Sequence, residues 1–298
     1  GLRLNEVIFR ESVMTETASG QAMEVSGETI PYTVLARTGE AADSPLLSSP
    51  LHLCDEQDSL EGEPGWYNST YFDEIYHART ALEHLRGSAP YETTHPPLGK
   101  VIMSLGIAIF GMTPFGWRFM GAFAGILMLP VMYALGRELT HRRSLGALAM
   151  GLMALDCMHL TQTRIATIDS FPVLFILCAF LFMLRFMHRD LVMVKVRQLL
   201  PDLALSGFFM GCAIASKWIG IYAGIGLGVL YFWTLIRHMR LSRESEKLLK
   251  REKVSLEARK LLKIRSETVF HRCMILCLWC LLFFVAVPLA IYLLSYIP

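Results

Sequence analysis

The chain has 298 residues, of which 53% are hydrophobic and only 18% charged, with a formal net charge of +2 and a mean hydropathy of +0.42. An ordinary soluble domain carries more charge, and so nearly neutral a chain offers no general attraction to nucleic acid. The apolar excess is confined to residues 101–298, where long apolar runs alternate with short basic ones, the pattern of a multi-pass membrane protein.

Residues 1–65 are polar, with short alternating runs at Glu6–Phe9 and Tyr32–Ala36 separated by Gly20, Gly27, Gly39 and Pro45. This reads as a small β-rich accessory region, followed by an acidic linker over residues 51–64. The chain starts at Gly1 without a secretory leader, and its last apolar run stops near Pro298. It therefore reads as a fragment. Asn68-Ser69-Thr70 fits a glycosylation sequon, a weak signal by itself. Six of the seven cysteines sit in apolar runs, where a thiol acts as a small hydrophobe. Cys54 stands apart, so no disulfide framework is expected.

The segment 66–115 is expected to be a polar loop with interfacial helices. Phe72–Leu85 reads as a helix, with Asp73 at its N-cap, Gly87 as its stop, and Ile75, Ala78, Leu82 and Leu85 as its apolar stripe. Pro90, Pro96 and Pro97 hold the following loop extended. Leu98–Gly111 is apolar but short for a span. Spans are expected at 117–135, 145–163, 170–187, 203–222, 223–236 and 273–296, with a charged helix-like segment at 237–272. The basic loops 137–143, 185–197 and 237–272 fall on alternate turns, which assigns them to the cytoplasm. Residues 1–116, 164–169 and 220–224 then lie outside it.

Ionisable residues at a membrane edge are costly to keep there. The non-cytoplasmic side gathers Asp73, Glu74, His95, Lys100, Arg118, Arg164, Asp169 and Lys217. Cations beside carboxylates at one membrane face suit a lipid-linked phosphate substrate: the cations hold the phosphate, and a carboxylate deprotonates an incoming hydroxyl. Each residue also has a plain structural reading. Asp73 fits an N-cap and Glu74 a first-turn acid. Arg118, Lys217 and Lys100 fit snorkelling or anchoring side chains. Arg164 and Asp169 fit a pair across a turn, and His95 a loop-shaping residue. Asp156 and His159, three apart, fit a buried pair. His77 and His84 are too far apart for a joint metal site, and no metal site is expected.

Four stretches, in this order, resemble the protein O-mannosyltransferase family: Phe72-Asp73-Glu74, His95-Pro96-Pro97-Leu98-Gly99-Lys100, Gln162–Ser170, and Ala215-Ser216-Lys217-Trp218-Ile219-Gly220. The resemblance covers roughly residues 66–235. Residues 1–65 depart from the family's usual start, which suggests a bacterial-type member. The resemblance implies a mainly α, GT-C type membrane helical bundle over residues 116–298. It also implies an inverting transfer of mannose from a polyprenyl-phosphate carrier to Ser or Thr hydroxyls of a protein or peptide. By resemblance Asp73 is the general base, and Glu74 positions the acceptor or the loop. Arg118, Arg164, Lys217 and Lys100 are expected on the donor phosphate, and His95 and Asp169 in positioning roles. No cofactor is called for, the lipid-linked sugar being a substrate, although a divalent metal stays open. The rival readings are a related transferase acting on a lipid or glycan acceptor, a flippase for lipid-linked sugars, and a non-catalytic scaffold. A flippase calls for carboxylates near the bilayer midplane, whereas Asp73 and Glu74 lie outside every expected span.

Overall fold

The computed structural model describes residues 10–16, 22–29, 70–71, 73–250 and 255–297. The chain divides into two compact units, Gly1–Ser69 and Thr70–Pro298. In the first, β1 (Arg10–Glu16) and β2 (Ala22–Thr29) form an antiparallel hairpin with Val13 opposite Val25. The strands expected at residues 6–9 and 32–36 lie outside the described residues, as do the linker, Cys54, and Asn68 and Ser69 of the sequon.

The second unit is helical. In chain order it contains α1 (Glu74–Leu85), α2 (Leu98–Phe110), α3 (Pro114–Thr140), α4 (Arg143–Ala154) and α5 (Cys157–Arg164). These are followed by α6 (Ser170–Met187), α7 (Val196–Ser216), α8 (Gly220–Leu249), α9 (Leu256–Leu281) and α10 (Val287–Leu294). Among the described residues, five segments are long and apolar enough to cross a membrane: α3, α6, α7, α8, and the run Leu256–Leu294. That last run contains a π-helical turn at Leu282–Ala286. Pro288 follows just behind it. A proline lacks the N–H and crowds the carbonyl four residues back, so a wider turn there keeps the helix running.

Several expectations need correction. The span expected over 145–163 is broken, because α4 and α5 meet at a 58° bend. Asp156 makes that break: its Oδ1 accepts from the Met158 N–H at 3.1 Å and caps α5. Asp156 is exposed, so it is not the buried partner of His159. The span expected over 203–222 ends at Ser216, because Lys217 takes an extended conformation (φ −159°, ψ 140°). The turn therefore lies at residues 217–219 rather than 220–224. Helix α8 runs 30 residues, about 45 Å at 1.5 Å per residue, so the short span expected at 223–236 is part of a helix longer than the roughly 30 Å hydrocarbon core. The basic segment 237–272 is shared between the end of α8 and the start of α9. Finally, α1 is rotated from its expected face. It buries Glu74, His77, Ala78, Thr80 and Ala81, and leaves Ile75 and Leu85 exposed.

Helix α6 is the spine. Its first half, through Phe171, Leu174 and Cys178, packs in one core with Ala78 and Ala81 of α1, Met103 and Ile107 of α2, and Ala124 and Met128 of α3. Its second half, through Ala179, Met183 and Phe186, packs in another with Leu199 and Leu203 of α7, Leu227 and Tyr231 of α8, and Leu276 of α9. Through Ala78 and Ala81 the first core seats α1 against the apolar bundle.

The bundle's two ends differ. At the end where α3 stops and α6 gives way to α7, Arg189 Nε donates to Asp202 Oδ2 at 2.9 Å. Arg185 pairs with the same carboxylate at 3.3 Å, Arg265 pairs with Asp190, and His188 Nδ1 lies 3.0 Å from Glu138 Oε1. The ionisable residues singled out from the sequence gather at the other end.

Candidate functional site

The site is built from the start of α1, the loop 86–97, the first turns of α2 and α3, the end of α5 with the turn 165–169 before α6, and Lys217 after α7. Two small residues allow them to meet. A Cβ on Gly125 of α3 would lie 2.7 Å from the Thr163 side chain at the end of α5. A Cβ on Gly99, in the first turn of α2, would lie 3.2 Å from Ile168. Both distances are shorter than ordinary packing, so glycine lets α5 and the following turn close onto α2 and α3.

Glu74 is fully buried and saturated. Its Oε1 accepts from Arg118 Nε and from the Ala166 N–H, each at 2.7 Å. Its Oε2 accepts from Arg118 Nη2 at 2.7 Å and from the Tyr71 N–H at 2.6 Å. Burial works to raise its pKa, but these four donors outweigh it and hold the carboxyl below the usual range. Such bidentate geometry is among the stronger side-chain pairings. It ties α1 to α3 and to the turn after α5. Thr113 fixes the start of α3 by accepting from the Gly116 N–H at 3.1 Å, with Pro114 in the first helical position. Arg118 thus pairs with Glu74, a partner that the sequence did not reveal.

Asp73, one residue earlier, has a different setting. It is half-buried, and its backbone carbonyl accepts from the Tyr76 and His77 N–H groups, both at 3.1 Å. Asp73 occupies the N-cap position as expected, but its carboxylate makes no capping hydrogen bond to α1. The loop after α1 is held by Lys100. Although a surface position was expected, Lys100 is buried and donates to the carbonyls of Glu92 (2.7 Å) and His95 (3.2 Å). It also pairs with the Glu92 carboxylate. Lys100 therefore staples the loop. Burial works to raise the Glu92 pKa, but Lys100 and Thr94 outweigh it and bring it down to about 2. His95 lies in the stapled loop, its ring centroid 6.5 Å from that of His77. Glu92 was missed from the sequence, since an acid in a polar loop carries no sign that it will be buried.

The turn 165–169 brings in the remaining residues. Asp169 does not pair with Arg164; instead its Oδ1 accepts from Lys217 Nζ at 2.5 Å, linking the start of α6 to the end of α7. Arg164 is exposed at the end of α5, with no ion-pair partner among the described residues. Thr167 and Ser170 are buried, and their hydroxyls have no hydrogen-bond partner among the described residues. Sequence reading passed over both. Ser170 opens α6, and a helix N-terminus favours negative charge.

The family profile for dolichyl-phosphate-mannose-protein mannosyltransferases matches residues 110–298. The chain belongs to this family. It is 28% identical over 182 residues to a polyprenol-phosphate-mannose–protein mannosyltransferase of Mycobacterium tuberculosis, covering 53% of this chain and 34% of that protein. It is 33% identical over 144 residues to the protein of the same name in Corynebacterium glutamicum, covering 43% of this chain and 28% of that one. Among solved structures, it resembles the Saccharomyces cerevisiae protein O-mannosyltransferase Pmt1-Pmt2 complex bound to the sugar donor. That match has a TM-score of 0.57 at 21% identity over 76% of this chain and 29% of the other, and it supports the membrane helical fold. The chain spans about a third of the length of these curated relatives. The family match begins at residue 110, so Asp73 and Glu74 precede it. The geometry joins them to it, through Arg118 and Ala166.

Proposed function

We propose that this chain forms the donor-binding and catalytic part of an inverting, GT-C type mannosyltransferase. The enzyme moves mannose from a polyprenyl-phosphate carrier to Ser or Thr hydroxyls of proteins at the extracytoplasmic face of the membrane. The observation that carries this reading is the opposite treatment of two adjacent carboxylates. Glu74 is spent on holding the site together, while Asp73 stays uncommitted at its edge. The names of the relatives supply the substrates, and the basic loops at the far end supply the orientation.

In this mechanism the acceptor hydroxyl gives its proton to Asp73 as its oxygen attacks the anomeric carbon. The bond from that carbon to the carrier phosphate breaks, and the phosphate leaves on the opposite face, inverting the centre. A phosphate leaving group needs charge neutralisation more than a proton, so one carboxylate suffices, unlike the pair that flanks a hydrolysed glycosidic bond. Arg164, Lys217 and the start of α6 with its Thr167 and Ser170 hydroxyls supply that neutralisation. Asp169 holds Lys217 in place, and the Lys100-stapled loop with His95 closes the acceptor side. Arg118 acts through Glu74 as a positioning residue.

The test is transfer of mannose from a polyprenyl-phosphate donor to a Ser/Thr peptide by the full-length protein in membranes. Wild type should transfer, and Asp73→Asn should lose about 10²- to 10⁴-fold in rate, the range for a general base. Equal rates in both would remove Asp73 from the chemistry. Transfer only to lipid or glycan acceptors would favour the related transferase reading on the same site.

A further inference from the structure

Helix α1 turns its polar residues inward and leaves Ile75 53% and Tyr76 44% exposed. The loop adds another exposed aromatic to that outward face. Tyr91 is 56% exposed yet held in three ways. Its N–H donates to Glu83 Oε2 at 2.6 Å. Its ring stacks on Tyr76, with centroids 6.2 Å apart and planes 10° from parallel. The Arg79 guanidinium lies over the Tyr91 ring, 4.0 Å from its centroid, and is itself fixed by Glu83 Oε1 at 2.9 Å. Ordinary exposed tyrosines are not fastened like this. A rigid, exposed aromatic pair offers contact area with little conformational entropy left to lose on binding.

We infer that Tyr76 and Tyr91 form a platform for the acceptor chain, taking an extended Ser/Thr peptide with proline or aliphatic residues flanking the modified hydroxyl. This rests on the mannosyl-transfer reading above. Position argues for the acceptor rather than the donor. Tyr76 is two residues beyond Glu74, about 200° around the helix, whereas Glu74 faces the turn 165–169 where the donor phosphate is placed. Tyr76 is also three residues from Asp73, roughly 4.5 Å along the axis, and its N–H is bonded to the Asp73 carbonyl. An extended chain rises about 3.3 Å per residue. A hydroxyl at Asp73 therefore sets the residues one to three places away against Tyr76 and Tyr91. Proline-containing extended segments suit aromatic surfaces because they are already ordered.

The experiment uses the full-length protein in membranes and two peptides with a single Thr, one carrying Pro within three positions and one carrying Gly there instead. Tyr76→Ala and Tyr91→Ala should each raise KM for the Pro peptide roughly threefold to tenfold, the range for a lost aromatic contact. KM for the donor and for the Gly peptide should stay unchanged, and Tyr91→Phe should behave as wild type. Binding of a fluorescent Pro peptide to the solubilised protein, measured without turnover, should weaken in parallel. That separates the two ideas. Absent transfer with Tyr-dependent peptide binding defeats the transfer reading and keeps the platform, whereas unchanged peptide KM and binding in both variants overturns the platform. A rise in donor KM, or an equal loss on both peptides, overturns it too, assigning the tyrosines to the donor, to the membrane surface or to folding.

Discussion

Asp73 and Glu74 are neighbours in sequence but about 100° apart around α1, and that rotation separates their chemistry. The sequence marked both as ionisable residues at a membrane edge, but it could not show which would be paired, because the partners Arg118 and Ala166 lie 44 and 92 residues away. Lys100 shows the same limit. It read as an anchor of the interfacial helix or a phosphate contact, and the fold turns it inward onto Glu92. These buried groups make a prediction about acid. Burial also holds His77 below its usual pKa, an effect that outweighs the attraction of Glu92. Depressed values on His77 and Glu92 mean that the unfolded chain takes up protons first, so stability falls as pH falls. The His77 contribution is lost below about 6.5, and that of Glu92 is lost between about 4.5 and its folded value of about 2. The thermal midpoint of the solubilised protein should therefore drop progressively on acidification, and Glu92→Gln should flatten the most acidic limb. A midpoint unchanged down to pH 3 would contradict this.

At the scale of elements, α3 and α6 were legible because their apolar runs are long and uninterrupted. The break between α4 and α5 was not, since hydropathy does not register a bend, although Asp156 followed by a short polar helix was a readable cap. The rotation of α1 was hidden for a physical reason: Glu74, His77 and Thr80 are drawn in beside Ala78 and Ala81, Glu74 by partners far away in the chain, and the turn leaves Ile75 and Leu85 of the expected stripe outside. Close approach of α3 to α5 is what delivers the Ala166 N–H to Glu74. Gly125→Leu should therefore push Thr163 away, cost roughly 1–3 kcal/mol as overpacking does, and loosen the Glu74 site along with it. A thermal-shift measurement with no loss in this variant would show that α5 is not held by that contact.

Across the whole second unit, the paired charges at one end and the mixed site at the other follow from helices that alternate in direction. The charge asymmetry of the loops already placed the ionisable residues on one membrane face, while the N-terminal region was read only from short alternating runs and turn residues. A single cysteine at Ser88 should be labelled by an impermeant reagent from the extracytoplasmic side, and one at Ser255 only after the membrane is opened. The reverse pattern would put the site on the wrong face. The central claim is that Glu74 holds the site together and Asp73 does the chemistry, and the most direct test measures melting and mannose transfer in the same preparations of Asp73→Asn and Glu74→Gln. Asp73→Asn should melt with wild type and fail to transfer. Glu74→Gln weakens the buried hub that accepts from Arg118, Ala166 and Tyr71, so it should lose about 1–3 kcal/mol of stability. An Asp73→Asn protein that still transfers, or a Glu74→Gln protein as stable as wild type, would contradict this division of roles.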